Sequence, residues 1–169
     1  MSGRIHVDRS LPAVGISVRL LNELSSHALE AWPEECCGLL VGEAAGGFVS
    51  AHRCRNDMTR LHRQDRVAWP RDGTKAFHMN EIDYLQVREQ AEAVGLRVTG
   101  VYHSHVDADA YFSELDQAHV RQPLFPFPEA QHIVLSLLEG KVREVALFRM
   151  HRETGDFEGR RVVAVPECA

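Results

Sequence analysis

A chain of 169 residues with 44% hydrophobic and 25% charged content can bury a substantial core and is read as a single domain over residues 1–169, with no heptads, internal repeats or low-complexity tracts. Its formal charge of −5 argues against a nucleic-acid partner and against binding to an anionic membrane surface. No apolar run approaches the length of a membrane span, and residues 1–8 lack the apolar core of a signal peptide, so the expectation is a cytoplasmic protein.

After a loose start containing Pro12 and Gly15, Ser17 is placed to cap a helix with an apolar stripe of Leu21, Leu24, Ala28 and Trp32, ended by Pro33. Cys36 to Val41 is a short continuous apolar run bounded by Gly42, the pattern of a strand covered on both faces. Adjacent Cys36 and Cys37 face opposite ways on such a strand. With Cys54 and Cys168 they make four cysteines that lack metal-knuckle or disulfide spacing, and they read as small core residues in a reducing compartment. The alternative is a thiol nucleophile paired with a histidine. Gly46-Gly47 turns the chain into Phe48–Cys54, the expected hairpin partner, and Asn56 closes the unit.

Residues 57–76 read as a polar, irregular insertion in which Arg60, Arg63, Arg66, Arg71 and Lys75 alternate with Leu61, Val67 and Trp69. It is either a solvated connection whose Trp69 packs back on the body or a surface that meets substrate. Asn80 caps the next helix, with Tyr84, Val87, Ala91 and Val94 at helical spacing and Gly95 as its C-cap. Leu96 to His105 reads as a strand and Ser113 to about Gln122 as a helix. Pro123–Glu129 is an extended loop at the rim of the site. Gln131–Leu138 and Val142–Arg149 form a hairpin, Phe157–Val165 adds a strand, and Pro166–Ala169 is a frayed tail.

The chemistry concentrates in one stretch. Strand alternation sends His103 and His105 to one face while Ser104 points away. Ser113 has the form of an N-cap with an acid three positions on, which places Asp116 at the first turn of a helix. Two imidazoles and a carboxylate make an N/N/O set that suits zinc and leaves the fourth tetrahedral position for water. Singly, His-x-His reads as two packed histidines and Ser-x-x-Asp as a capping box. Their coincidence at fixed offsets arises by chance about once in several hundred cases. His119 lies one turn beyond Asp116 and is not counted as a ligand, because a fourth protein ligand would close the site.

His103-x-His105, seven residues, then Ser113-x-x-Asp116, preceded by Pro33-Glu34-Glu35-Cys36-Cys37-Gly38, resembles the motif of the JAMM/MPN+ (Mov34/MPN/PAD-1) zinc metalloprotease family over roughly residues 17–150. The resemblance implies an MPN/JAB-like fold of the mixed α+β kind, one mixed β-sheet packed with helices. It also implies one Zn2+ per chain on His103, His105 and Asp116, with a catalytic water. Glu35, chosen over neighbouring Glu34 by the motif match, would be general base and then proton donor to the leaving amine. Ser113 would stabilise the oxyanion, a role expected to compete with its role as a helix cap. The implied substrate is a ubiquitin-like or sulfur-carrier protein, cleaved after its C-terminal tail. Many members carry proline where this chain has Val106 and Phe112, so a looser loop between His105 and Ser113 is expected. RadC-type proteins resemble the same motif but have an Asn between the histidines and Pro-Ser-Gly after them, which this chain lacks. Two other roles share the motif's fold: a catalytically idle MPN scaffold, and a zinc peptidase for small peptide or amino-acid conjugates.

Overall fold

The structure, a computed structural model, describes residues 3–167. Met1, Ser2, Cys168 and Ala169 lie outside the described residues; of the tail expected to fray, Pro166 and Glu167 are described, and Glu167 accepts from the Arg19 N–H at 3.3 Å. In chain order the elements are β1 (Val14–Ser17), α1 (Val18–Ala31), β2 (Cys37–Glu43), β3 (Gly46–Cys54), α2 (Met58–Gln64), α3 (Glu81–Ala93), β4 (Arg97–Val106), α4 (Glu114–Val120), β5 (Gln131–Leu138), β6 (Lys141–Met150) and β7 (Phe157–Val165). The strands form one mixed seven-stranded sheet in the order β1-β7-β6-β5-β4-β2-β3. The β4–β5 and β1–β7 pairs are parallel and the others antiparallel.

Helices cover both faces of this sheet, as the continuous apolar runs of β2 and β5 require. On one face α1 brings Leu20, Leu24 and Ala28 against Leu40, Tyr102, Ile133, Leu135 and Leu147. On the other, Val87 and Ala91 of α3 meet Cys37, Leu39, Val41 and Val101. Phe112 and Val120, beside and within α4, meet Val134, Ala146, Phe148 and Phe157. Period-two alternation therefore sorts β4 cleanly: Tyr102 joins the α1 side and Val101 the α3 side. Tyr102 also explains Gly38, since a Cβ there would lie 2.5 Å from the tyrosine ring. No helix among the described residues is long and apolar enough to cross a membrane.

Most expected elements are present, with five differences, the first being that the start expected to be loose contains β1, paired parallel with β7. The α1 stripe runs through Leu20 rather than Leu21, and Trp32 is 55% exposed beyond the helix end. Val94 likewise lies past the last turn of α3 and is exposed. The first hairpin turns at Ala44-Ala45, since Glu43 already pairs with Gly46, whose φ of 104° supplies the left-handed conformation. Residues 57–76 are not wholly irregular: they contain α2, started by the Asn56 side chain, which accepts from the Met58 N–H at 3.0 Å. Only Met58 of α2 is buried, so the helix has no apolar stripe to betray it.

Candidate metal centre

His103 and His105 point from the end of β4 to the face that carries α4, and Asp116 meets them from the first turn of that helix. Their Nε2 atoms are 3.2 Å apart, and Asp116 Oδ2 lies 3.5 Å from His103 Nε2 and 3.8 Å from His105 Nε2. Among the described residues these three form a group whose donor atoms all lie within 4.8 Å of one another. His105 Nδ1 is bonded to the Asp109 carbonyl oxygen at 2.9 Å. A carbonyl only accepts, so Nδ1 carries the proton and Nε2 presents a lone pair, the tautomer that metal binding needs. Burial holds the His103 imidazole below its usual range, which keeps it neutral. Although burial acts in the opposite sense, the two imidazoles hold Asp116 well below the ordinary carboxylate range. Burial works to lower His105, but Asp116 and Glu35 together raise it above its usual range, so a divalent cation would displace its proton; two imidazole nitrogens and one ionised oxygen are a donor set that fits a cation such as zinc.

Asp116 and Ser113 are locked reciprocally. Ser113 Oγ accepts from the Asp116 N–H at 3.0 Å, and Asp116 Oδ2 accepts from the Ser113 N–H at 2.9 Å. The expected competition between cap and oxyanion contact disappears in this arrangement. As a cap Ser113 uses a lone pair of Oγ, and its own O–H proton remains free to donate.

Glu35, the expected general base, lies close to these groups. It shares a cleft of about 620 Å³ with His105, Ser113 and Asp116, and Trp69, Arg71 and Lys75 line the same cleft. The two neighbouring glutamates are now separated by their contacts: Glu34 accepts from Thr59 Oγ1, while Glu35 faces the donors. Burial pushes the Glu35 carboxyl up to about 8, with the charge of Asp116 acting in the same direction against His105, Arg71 and Lys75. Trp69 is half-buried with its ring edge-on to His78 at 5.1 Å, so it both packs on the body and lines the cleft. His119 stands outside the donor group.

Two positioning residues had no signal in the sequence pattern. Ser104, between the histidines, turns to the opposite face, and its Oγ accepts from the Cys36 N–H at 2.8 Å, fixing the residue after Glu35. Asn56 Nδ2 donates to the Glu35 carbonyl at 3.0 Å and to the Ala76 carbonyl at 3.2 Å, while its Oδ1 accepts from the Met58 and His78 N–H groups. The Glu35 N–H donates to the Gly73 carbonyl at 2.7 Å.

The loop between His105 and Ser113 is tied down without proline. Phe112 is fully buried and its N–H donates to the Ile5 carbonyl at 2.9 Å, a bond that proline could not make. Asp107 adopts φ 54° and its N–H donates to the Leu137 carbonyl, and Ser136 Oγ donates to the Ala108 carbonyl at 2.6 Å.

A family model for prokaryotic homologs of the JAB domain matches residues 17–151. The tail tip assembly protein K of Escherichia phage N15 is 28% identical over 127 residues, covering 75% of this chain but only 42% of the phage protein. The chain thus spans less than half the length of that curated relative. A Desulfitobacterium hafniense protein solved in solution superposes at a TM-score of 0.64 with 18% identity, covering 91% of this chain and 94% of that one. A Salinibacter ruber solution structure gives 0.59 with 23% identity, covering 90% and 91%. At these identities the two structures share the fold.

Proposed function

The chain belongs to the family of prokaryotic homologs of the JAB domain, and from that premise we propose that it is a zinc metallopeptidase acting on a ubiquitin-like or sulfur-carrier protein, cleaving the amide bond after an extended Gly-Gly tail. The observation that carries the reading is the placement of Glu35 in one cleft with His105 and Asp116 of the three-residue donor group. A zinc ion held by those three residues would supply Lewis acidity, polarising the carbonyl and lowering the pKa of water from 15.7 toward 7. Glu35 takes a proton from the attacking water as its oxygen bonds to the carbonyl carbon. A carboxyl raised to about 8 by burial is suited to hold that proton and then release it. The Ser113 O–H donates to the developing oxyanion. Glu35 then passes its proton to the nitrogen, the C–N bond breaks, and the tail leaves as a carboxylate and the remainder as an amine. Cys36, Cys37 and Cys54 are free and buried, which supports a reducing, cytoplasmic setting.

The experiment is cleavage of a ubiquitin-like protein carrying a C-terminal extension, with and without chelator, by wild type and Glu35→Gln. Chelator-sensitive cleavage is expected, falling on the order of 10² to 10⁴ in Glu35→Gln with bound zinc retained. Full activity in that variant would sink the mechanism. The likeness to a phage tail tip assembly protein favours one second reading, an MPN domain that serves assembly without catalysis. In that case His103→Ala should leave its binding role intact.

A further inference from the structure

The cleft is not the sole cavity at the donor group. Phe77, Asp116 and His119 line both the cleft and a second cavity of about 250 Å³, into whose wall His103 also falls. Phe77 stacks on the His103 ring at 4.5 Å, so the second cavity begins directly beside the metal donors. Its walls are aromatic: Phe77, Tyr84, Phe112, Phe125 and Phe127 all contribute. Set among them is His132, 4% exposed, whose Nε2 is buried and has no hydrogen-bond partner. The His132 ring lies 5.1 Å from Phe112 and 6.0 Å from Phe125. Leu124, also in the lining, is 94% exposed and offers an apolar rim.

An unpaired buried nitrogen is costly, and native interiors pair such groups. A cavity of roughly 150 Å³ already holds a benzene ring, so this one has room for a phenol. The side chain that matches must have an aromatic body and a polar tip, and a phenolic O–H can donate or accept and so satisfies either tautomer of a neutral imidazole. We propose that this cavity is the side-chain pocket for the residue that leaves as the amine, and that it selects tyrosine first and phenylalanine second. The inference rests on the peptidase reading, because a glycine tail presents no side chain and leaves the pocket to the residue across the scissile bond. That bond is then a linear peptide bond. Water's hydroxyl goes to the tail carboxyl and its proton to the tyrosine amine.

Two readouts keep the pocket and the peptidase apart. The first is binding of L-tyrosinamide, L-phenylalaninamide and glycinamide to the zinc-loaded full chain carrying Glu35→Gln, followed by calorimetry and by NMR shifts. Tyrosinamide should bind about ten-fold tighter than phenylalaninamide, with no saturable binding of glycinamide. His132→Phe keeps an aromatic ring and removes both nitrogens, so it should abolish the tyrosine preference while phenylalaninamide binding stays within about two-fold. Phe125→Ala, on the partly exposed loop, should weaken both aromatic amides. Equal binding of all three amides, or a tyrosine preference that survives His132→Phe, overturns the pocket. The second readout is kcat/KM on ubiquitin-like fusions with Tyr, Phe, Lys or Gly after the tail. Equal cleavage of all four overturns the pocket and spares the peptidase. Selective amide binding without cleavage of any fusion overturns the peptidase reading, and with it the pocket's place in the reaction.

Discussion

The two sides of the cleft are built differently. His103 and His105 stand on β4, an inner strand paired on both edges, and Asp116 is locked by a reciprocal cap to Ser113. Glu35 stands before β2, and its main chain is held by Gly73 and by Asn56, residues that bracket a segment whose one helix buries only Met58. The donor side is therefore fixed by the core, and the Glu35 side by a few hydrogen bonds to a polar segment. Such a division predicts that metal binding and turnover can be lost separately, since local openings follow the region with few buried apolar contacts.

The largest effect should come from breaking the donor side. His103→Ala removes one of three donors from a buried site, and bound zinc, measured by metal analysis after dialysis, should fall below stoichiometry with turnover reduced by at least about 10⁴. Zinc retained at one per chain would show that the donor group is not the metal site. Ser113→Ala tests the joint between the two roles of the hydroxyl. The variant loses a helix cap, about 1 kcal/mol, and an oxyanion donor, about 10² in kcat. Ser113→Asn restores a capping acceptor at a different reach, so its stability should recover while kcat stays low. Recovery of both would assign Ser113 to the cap alone.

Asn56→Ala addresses the other side. It removes bonds to the Glu35 and Ala76 carbonyls and to the Met58 and His78 N–H groups, for a loss of about 2 kcal/mol in stability. With Glu35 less firmly placed, kcat should fall about ten-fold while zinc affinity stays unchanged. A parallel loss of zinc would mean that the two sides are mechanically one.

The same division accounts for what could be seen in the sequence. His103, His105, Ser113 and Asp116 were legible because strand alternation and the capping box are local rules, each spanning a few residues. Glu35 was legible only through the Pro-x-Glu-x-Cys-Gly resemblance. What separates it from Glu34 is Thr59, which is held in turn by the Gly73 N–H at 2.9 Å. Ser104 and Asn56 were not legible as positioning residues because their partners lie 68 and 21 residues away. β1 was read as loose chain because its four residues become a strand only by parallel pairing with β7 at the far end of the sequence. Phe112 was weighed as a missing proline, when its buried ring and its bond to Ile5 do the anchoring.

A last effect concerns the metal-free protein and needs no substrate. Glu35 ionises near 4.5 when exposed, and burial raises it to about 8 in the folded chain. The folded state thus holds the proton more tightly than the unfolded state. Stability from protonated Glu35 is fully present below pH 4.5 and is lost as pH rises to about 8. Gln at this position cannot ionise. The stability of metal-free Glu35→Gln relative to wild type should therefore be flat below pH 4.5 and rise between pH 4.5 and 8, by at most about 1.4 kcal/mol per pH unit. Denaturant midpoints across that range measure it. Adding zinc at pH 8 should narrow the gap, because a divalent cation in the same cleft favours the ionised carboxyl. A gap independent of pH would mean that Glu35 reaches water in the folded state, and the cleft would then lack the desolvated carboxyl on which proton transfer depends.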